Sequence, residues 1–263
     1  MRAHCNDLDV AWFEAGRGDP LILIHGLADD HRAWRRAVPD LMLRRRVIMY
    51  DLRGHGETSL GSPDGTLRQL GDDMVALMDT IGVSRADVAG FSLGGTIAMR
   101  VGIDHASRVR GLVLVATSSR VGRTAAQWYT ERVEMVDRDD PRLRDTLAKD
   151  TSDVYAEAPD ELEEGLLIRM QSTADPRGYR NACAAMAALN ASPLDPELGA
   201  ITAPTLIVAS ERDRHCPPKA AEIIAAGIKG ARLEVIAGAG HPIPVEKPCE
   251  LARSITSFLA EIG

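Results

Sequence analysis

Aromatic residues are scarce in this 263-residue chain, at 4%: three Trp, four Tyr and three Phe. Any pocket it builds must therefore be walled mostly by aliphatic and polar side chains. No apolar run approaches the roughly 18 residues needed to cross a bilayer, which excludes a helical membrane span. The first residues, Met1 to Asp7, hold no apolar stretch of the kind found in secretory leaders, so a cytoplasmic location is expected. Only four cysteines occur, Cys5, Cys183, Cys216 and Cys249. They are too scattered for a metal site or a disulfide framework and read as reduced thiols. Positive charge is also in deficit: the formal net charge is −7. An acidic surface is repelled by nucleic acid and anionic lipid, so neither is expected as a partner. The one basic run, Arg44 to Arg46, reads as a solvated edge.

What remains is an ordinary globular composition, 45% hydrophobic and 26% charged, long enough for one large domain or two small ones. Five short, nearly continuous apolar runs carry β-branched residues: Pro20 to His25, Val47 to Tyr50, Val88 to Phe91, Leu112 to Val115 and Thr205 to Ala209. Runs of this kind are strands buried on both faces, the pattern of a central parallel sheet. Between them lie segments with helical spacing. In Leu67 to Ile81 the apolar positions recur at three and four, and Gly82 follows as a stop. Leu93 to Gly102, Ala220 to Gly227 and Glu246 to Ile262 are further helix candidates.

This alternation predicts an α/β fold with a mostly parallel, doubly wound sheet. The rhythm breaks after Val115. Residues 118–195 lack clear strands and are rich in helix formers, so they read as a helical cap inserted into a core of residues 1–117 and 196–263. The insertion is acidic, with 13 Asp and Glu against 5 Lys and Arg from Glu131 to Glu164.

Gly90-Phe91-Ser92-Leu93-Gly94 fits G-x-S-x-G, a pattern that chance produces in roughly one chain in ten of this length. Its setting is what gives it weight, because it follows an apolar strand and opens a helix. A serine on so sharp a turn is pushed out of the sheet, with the positive end of the helix near its oxygen. A hydroxyl is a weak nucleophile and needs a base, which in turn needs an orienting acid. His241 follows the apolar run Leu233 to Ile236, and Asp213 follows Thr205 to Ala209. Both stand at the same strand edge as Ser92, where open α/β sheets bind ligands. Glu211 is the rival acid, and Asp213 is preferred because it lies farther into the loop. Backbone N–H groups of Leu93 and Leu27 are the expected oxyanion donors.

These landmarks, with His25-Gly26, Tyr50 to Gly56, Pro204 to Asp213 and Gly240 to Pro248, make the chain resemble the α/β-hydrolase family over nearly its whole length. Within it, the sequence is most similar to 3-oxoadipate enol-lactonase-like hydrolases. That second likeness rests on His31 to Trp34, Thr117, Trp128 with Arg132, and Gly178 to Ala185. It implies a cofactor-independent serine hydrolase cleaving an ester or lactone through an acyl-enzyme, with a small-molecule substrate and no metal. A C–C bond hydrolase, a perhydrolase, a cofactor-free lyase or a non-catalytic ligand receptor on the same fold are the alternatives. Trp34, Trp128 and Arg132 are the substrate-binding candidates. His215 reads as a surface residue, and His25 and His55 as braces near the site. The acidic insertion predicts better turnover of neutral than of dicarboxylate lactones.

Overall fold

A computed structural model describes residues 1–263. The first half of the chain runs β1 (Arg2–Cys5), β2 (Leu8–Ala15), β3 (Pro20–Ile24), α1 (Val38–Leu41), β4 (Arg46–Tyr50), α2 (Leu67–Thr80), β5 (Ala86–Phe91), α3 (Leu93–Asp104) and β6 (Val109–Val115). Four helices follow: α4 (Arg123–Asp137), α5 (Leu143–Val154), α6 (Leu162–Ser172) and α7 (Pro176–Ala188). The chain closes with β7 (Thr205–Ser210), α8 (Pro218–Gly227), β8 (Arg232–Ile236), α9 (Ile243–Glu246) and α10 (Pro248–Glu261).

The eight strands form one sheet in the order β1-β2-β4-β3-β5-β6-β7-β8. β2 pairs antiparallel with β1 and β4, and every other pair is parallel. Because strand side chains alternate, each of the central strands β3 to β7 feeds two cores, whereas β8 at the edge buries only Ile236. Ile22, Ile24, Ile48, Leu112 and Leu114 enter one, while Leu21, Leu23, Val47, Val113 and Val115 enter the other. Both faces are thus covered by helices, which is why these strands read as unbroken apolar runs. On α2, Leu70, Met74, Leu77 and Met78 are buried, and Thr66 caps the start by accepting from the Gln69 N–H at 3.1 Å. Gly82, with φ +72°, ends it in the left-handed conformation that glycine adopts freely.

The antiparallel β1–β2 hairpin was not foreseen. Its apolar alternation is short, with Leu8 and Val10 buried around exposed Asp9, and Trp12 and Phe13 only half-buried. The basic run also needs correction. Arg45 is buried and its Nη1 lies 3.1 Å from Asp87 Oδ2, so that residue is an internal ion-pair partner and not a solvated edge.

The helices α4 to α7 leave the sheet after β6 and return before β7, with α4 packed on α7 and α5 on α6. α7 meets the loop after β4 backbone to backbone: a Cβ on Gly178 would stand 2.0 Å from the Gly54 carbonyl oxygen. The C-terminal ends of β3, β5, β7 and β8 open beneath these helices, and the loops leaving them carry the chemistry described next.

Candidate active site

Ser92 joins β5 to α3 with φ +54° and ψ −119°, a conformation an L-residue holds only when its surroundings enforce it. The enforcement is visible. The Ser92 N–H donates to the Val115 carbonyl at 2.9 Å, and its own carbonyl accepts from Gly95 N at 2.9 Å and Thr117 Oγ1 at 2.7 Å. The flanking glycines make the turn sterically feasible. A Cβ on Gly90 would sit 2.1 Å from the Gly94 oxygen, and one on Gly94 would sit 2.3 Å from the Ile24 oxygen. The strain therefore holds the hydroxyl up into the cavity above the sheet.

His241 Nε2 lies 3.1 Å from Ser92 Oγ, and His241 Nδ1 lies 2.8 Å from Asp213 Oδ2. A carboxylate there can only accept, so Nδ1 carries the proton and Nε2 is free to take the serine's. The other Asp213 oxygen accepts from the N–H groups of His215 and Cys216, each at 2.8 Å. Burial alone would raise the Asp213 carboxyl; attraction to His241 and these hydrogen bonds overcome it and hold its pKa below the usual value. Glu211 turns away: its Oε2 accepts from the Gly238 N–H at 2.7 Å, bracing the loop before His241. Glu246 Oε2 accepts from the Gly240 N–H at 2.8 Å, steadying the residue next to the imidazole.

Of the oxyanion candidates, Leu27 lines the cavity beside Ser92 and Leu93 follows the nucleophile directly. Leu93 opens α3, where the first N–H groups have no partner within the helix. Leu27 follows β3, and its orientation is set by His25. The Leu52 N–H donates to His25 Nε2 at 2.9 Å, so the ring proton is on Nδ1 and donates to the Gly26 carbonyl at 2.8 Å. That carbonyl shares a planar trans peptide with the Leu27 N–H, which must therefore point the opposite way.

A cavity of about 400 Å³ adjoins Ser92 and His241, roofed by Thr124, Trp128, Tyr129, Asp153 and Arg169 from the inserted helices. Its volume suits a small organic molecule. Trp128 lies in its wall, but the other two substrate-binding candidates do not. Trp34 is fully buried, because the helical turn His31 to Trp34 rotates it under β3, where its Nε1 donates to the Ile24 carbonyl at 3.2 Å. Arg132 stands behind Trp128, 4.0 Å over its ring, with Nη2 donating to Asp150 at 2.7 Å. Its donors are engaged inside the protein, so it packs the insertion and does not contact the cavity.

His215 is a correction in the other direction. It lines the cavity with its ring centroid 5.0 Å from that of His241. Burial, then the neighbouring His241, hold its pKa below the usual range. Asp29 and Arg169 were also missed. Asp29 lies between the landmarks His25-Gly26 and His31 to Trp34 without belonging to either, Arg169 has no motif around it, and only folding brings α6 against the loop after β3. His55 is buried, with Nδ1 3.1 Å from the Arg53 carbonyl, and burial pushes its pKa down to about 4.

Comparison with known proteins agrees with this architecture. A family model described as alpha/beta hydrolase fold matches residues 19–248. The chain is 29% identical over 245 residues to 3-oxoadipate enol-lactonase 1 of Acinetobacter baylyi, covering 92% of this chain and 89% of that one. It is also 29% identical over 265 residues to 2-hydroxymuconate semialdehyde hydrolase of Pseudomonas sp. strain CF600, with 94% and 89% covered. Among solved structures, the enol-lactonase from Burkholderia xenovorans LB400 superposes with a TM-score of 0.88 at 26% identity, covering 99% of this chain and 100% of the other.

Proposed function

The chain belongs to the α/β-hydrolase fold family, and on that premise we propose that it hydrolyses an ester or lactone through Ser92, His241 and Asp213. The observation that carries this reading is the continuous relay from Ser92 Oγ through the His241 ring to Asp213, with links of 3.1 and 2.8 Å. His241 Nε2 takes the serine proton as Oγ attacks the carbonyl carbon. The charge that develops on the carbonyl oxygen is met by the N–H groups of Leu27 and Leu93. The protonated imidazole then gives its proton to the leaving oxygen, and the acyl group stays on Ser92. Water enters, His241 acts as base again, and the acid is released. A lactone opens the same way, except that its alcohol end remains part of the acyl group on Ser92, so deacylation releases a single hydroxy acid. Residues 118–195 serve as a cap whose helices shape the cavity and select the substrate, a small molecule met in the cytoplasm.

A second reading has support in the 29% identity to 2-hydroxymuconate semialdehyde hydrolase. On it, the same relay would cleave a C–C bond next to a carbonyl. The two readings differ in product: an acid and an alcohol from an ester, or one hydroxy acid from a lactone, against an acid and a fragment newly protonated at carbon. Turnover of a graded panel of esters and lactones, with product identification, separates them. Labelling by a fluorophosphonate tests the nucleophile: wild-type protein should be modified at Ser92, and Ser92→Ala should be neither labelled nor active. A folded Ser92→Ala protein with near-normal kcat would remove the nucleophile assignment.

A further inference from the structure

The catalytic cavity contains a polar pair that the relay does not use. Arg169, on α6, is 5% exposed, and Asp29, in the loop after β3, is 7% exposed. Arg169 commits one donor, Nη2, to the Leu27 carbonyl at 3.0 Å. Its Nε is buried without any acceptor and lies 3.8 Å from Asp29 Oδ1, too far for a hydrogen bond. The Asp29 carboxyl in turn accepts no hydrogen bond from the chain, and Arg169 is its one ion-pair neighbour. A buried guanidinium N–H and a buried carboxyl left side by side without satisfying each other are costly unless something else satisfies both. Both residues line the cavity that reaches Ser92.

The charges around the cavity restrict what that something is. With Asp150 bound to Arg132, and Arg214 exposed beside Glu157 at 4.0 Å, the wall leaves the acidic Asp29 and Asp153 against one enclosed cation, Arg169. A carboxylate on the ligand would satisfy Arg169 but face the Asp29 oxygens. An alkyl group would leave both residues unpaired. A neutral group with an acceptor and a donor on the same edge would bridge the two: its C=O takes an N–H from the part of the Arg169 guanidinium that lines the cavity, and its N–H goes to Asp29.

We propose that Asp29 and Arg169 form a second recognition subsite, which takes a neutral group of the primary-amide or carbamoyl type borne by the ester or lactone that Ser92 attacks. The proposal rests on the hydrolase reading for its reaction, but not for its binding. It also links recognition to chemistry, because the Leu27 held by Arg169 is the oxyanion candidate. A ligand that draws Arg169 towards Asp29 acts on the same loop.

The test uses phenyl esters of acids with the same linker, two to four methylenes long, ending in a primary amide, a carboxylate or an isopropyl group. The readout is the ratio of kcat/KM between these esters within one protein, so that any general loss in a variant cancels. Wild-type protein should prefer the amide over both others by about tenfold or more at one linker length, the size expected of a hydrogen bond to a charged group. Arg169→Met should bring the amide-to-isopropyl ratio close to one. Asp29→Asn, the milder change, should relieve the penalty on the carboxylate and lower the amide-to-carboxylate ratio by about tenfold. A wild-type preference for the carboxylate or the isopropyl ester overturns the proposal, as do ratios that stay unchanged in both variants while Ser92-dependent turnover persists. Failure of the hydrolase reading looks different: no ester is turned over and Ser92 escapes the fluorophosphonate. In that event calorimetric titration with glutaramide and with glutarate decides the subsite alone. Tighter binding of glutaramide, lost in Arg169→Met, upholds it, and equal or weaker binding of glutaramide ends it.

Discussion

Replacing Asp213 by Asn changes one atom of the site, and the structure dictates where that atom goes. The carboxylate has two distinct ends: Oδ1 accepts the N–H groups of His215 and Cys216 at 2.8 Å each, and Oδ2 accepts from His241 Nδ1 at 2.8 Å. In the Asp213→Asn variant, two backbone donors hold the single carbonyl oxygen at the first position. The NH2 group is then forced against His241 Nδ1, which can face it only as an acceptor. The ring proton moves to Nε2, and the nitrogen that must take the Ser92 proton is already occupied. Loss of this tautomer costs about 10⁴-fold in kcat in serine hydrolases of this design, or about 5.5 kcal/mol of barrier. Glu211→Gln provides the contrast. Glu211 Oε2 accepts only the Gly238 N–H, at 2.7 Å and partly in solvent. Gln keeps an oxygen for that bond, so the expected loss is under about tenfold. The assay is kcat on an activated phenyl ester, with circular dichroism and the thermal midpoint recorded to confirm folding. If Glu211→Gln is the more damaging variant, or if folded Asp213→Asn keeps more than about a tenth of wild-type kcat, the acid has been misassigned and the tautomer argument fails with it.

Arg132→Ala combined with Asp150→Asn should reduce kcat/KM equally for matched neutral and anionic substrates, because the guanidinium serves Asp150 and Trp128 inside the protein, and its loss alone would bare the Asp150 carboxylate in the cavity wall. Arg132→Ala alone should cost about 3–5 kcal/mol in urea unfolding, the usual penalty for leaving a buried carboxylate unpaired; a loss confined to anionic substrates in the double variant would return Arg132 to the binding site. His55, with its pKa depressed to about 4 by burial, stays neutral in the folded chain while the unfolded chain takes up a proton below about pH 6.5. Stability should therefore fall by on the order of 3 kcal/mol as pH drops from 6.5 to 4, and the fall should be shallower in His55→Asn. Parallel pH profiles for the two proteins would show that His55 is not the group responsible. Gly94→Ala puts a methyl 2.3 Å from the Ile24 carbonyl oxygen, and overpacking against backbone should cost about 1–3 kcal/mol with loss of turnover. A thermal midpoint and kcat at wild-type values would mean that the turn has room the structure does not contain.

The parallel strands were legible in the sequence because a strand buried on both faces has to be apolar at every position. Val47 to Tyr50 and Leu112 to Val115 leave no other assignment once turn residues bound them. The elbow at Ser92 was legible for a related reason. Gly90 and Gly94 touch backbone within a few residues of the motif or on the neighbouring strand, so a local pattern records a local steric demand. Chain order and strand-end position were then enough to bring Ser92, Asp213 and His241 forward as candidates. The β1–β2 hairpin was missed because its alternation is short and interrupted, and a weak period does not stand out from coil.

Contacts between segments distant in sequence were decided by the tertiary structure alone. Position in the loop favoured Asp213 over Glu211 without excluding either; the 2.8 Å contact of Asp213 and the outward turn of Glu211 follow from how the loops after β7 and β8 cross. Trp34 and Trp128 are alike as pocket candidates in the sequence, yet one is buried under β3 and the other faces the cavity. Arg132 and Arg169 are both arginines on acidic helices. Asp150, 18 residues downstream, absorbs the first, while the second reaches across to the loop of Leu27 and Asp29 with a donor to spare. Composition and periodicity record which faces are buried, because burial acts on each residue separately. Which polar group meets which is a property of pairs, and a pair far apart in the chain exists only once the fold has closed.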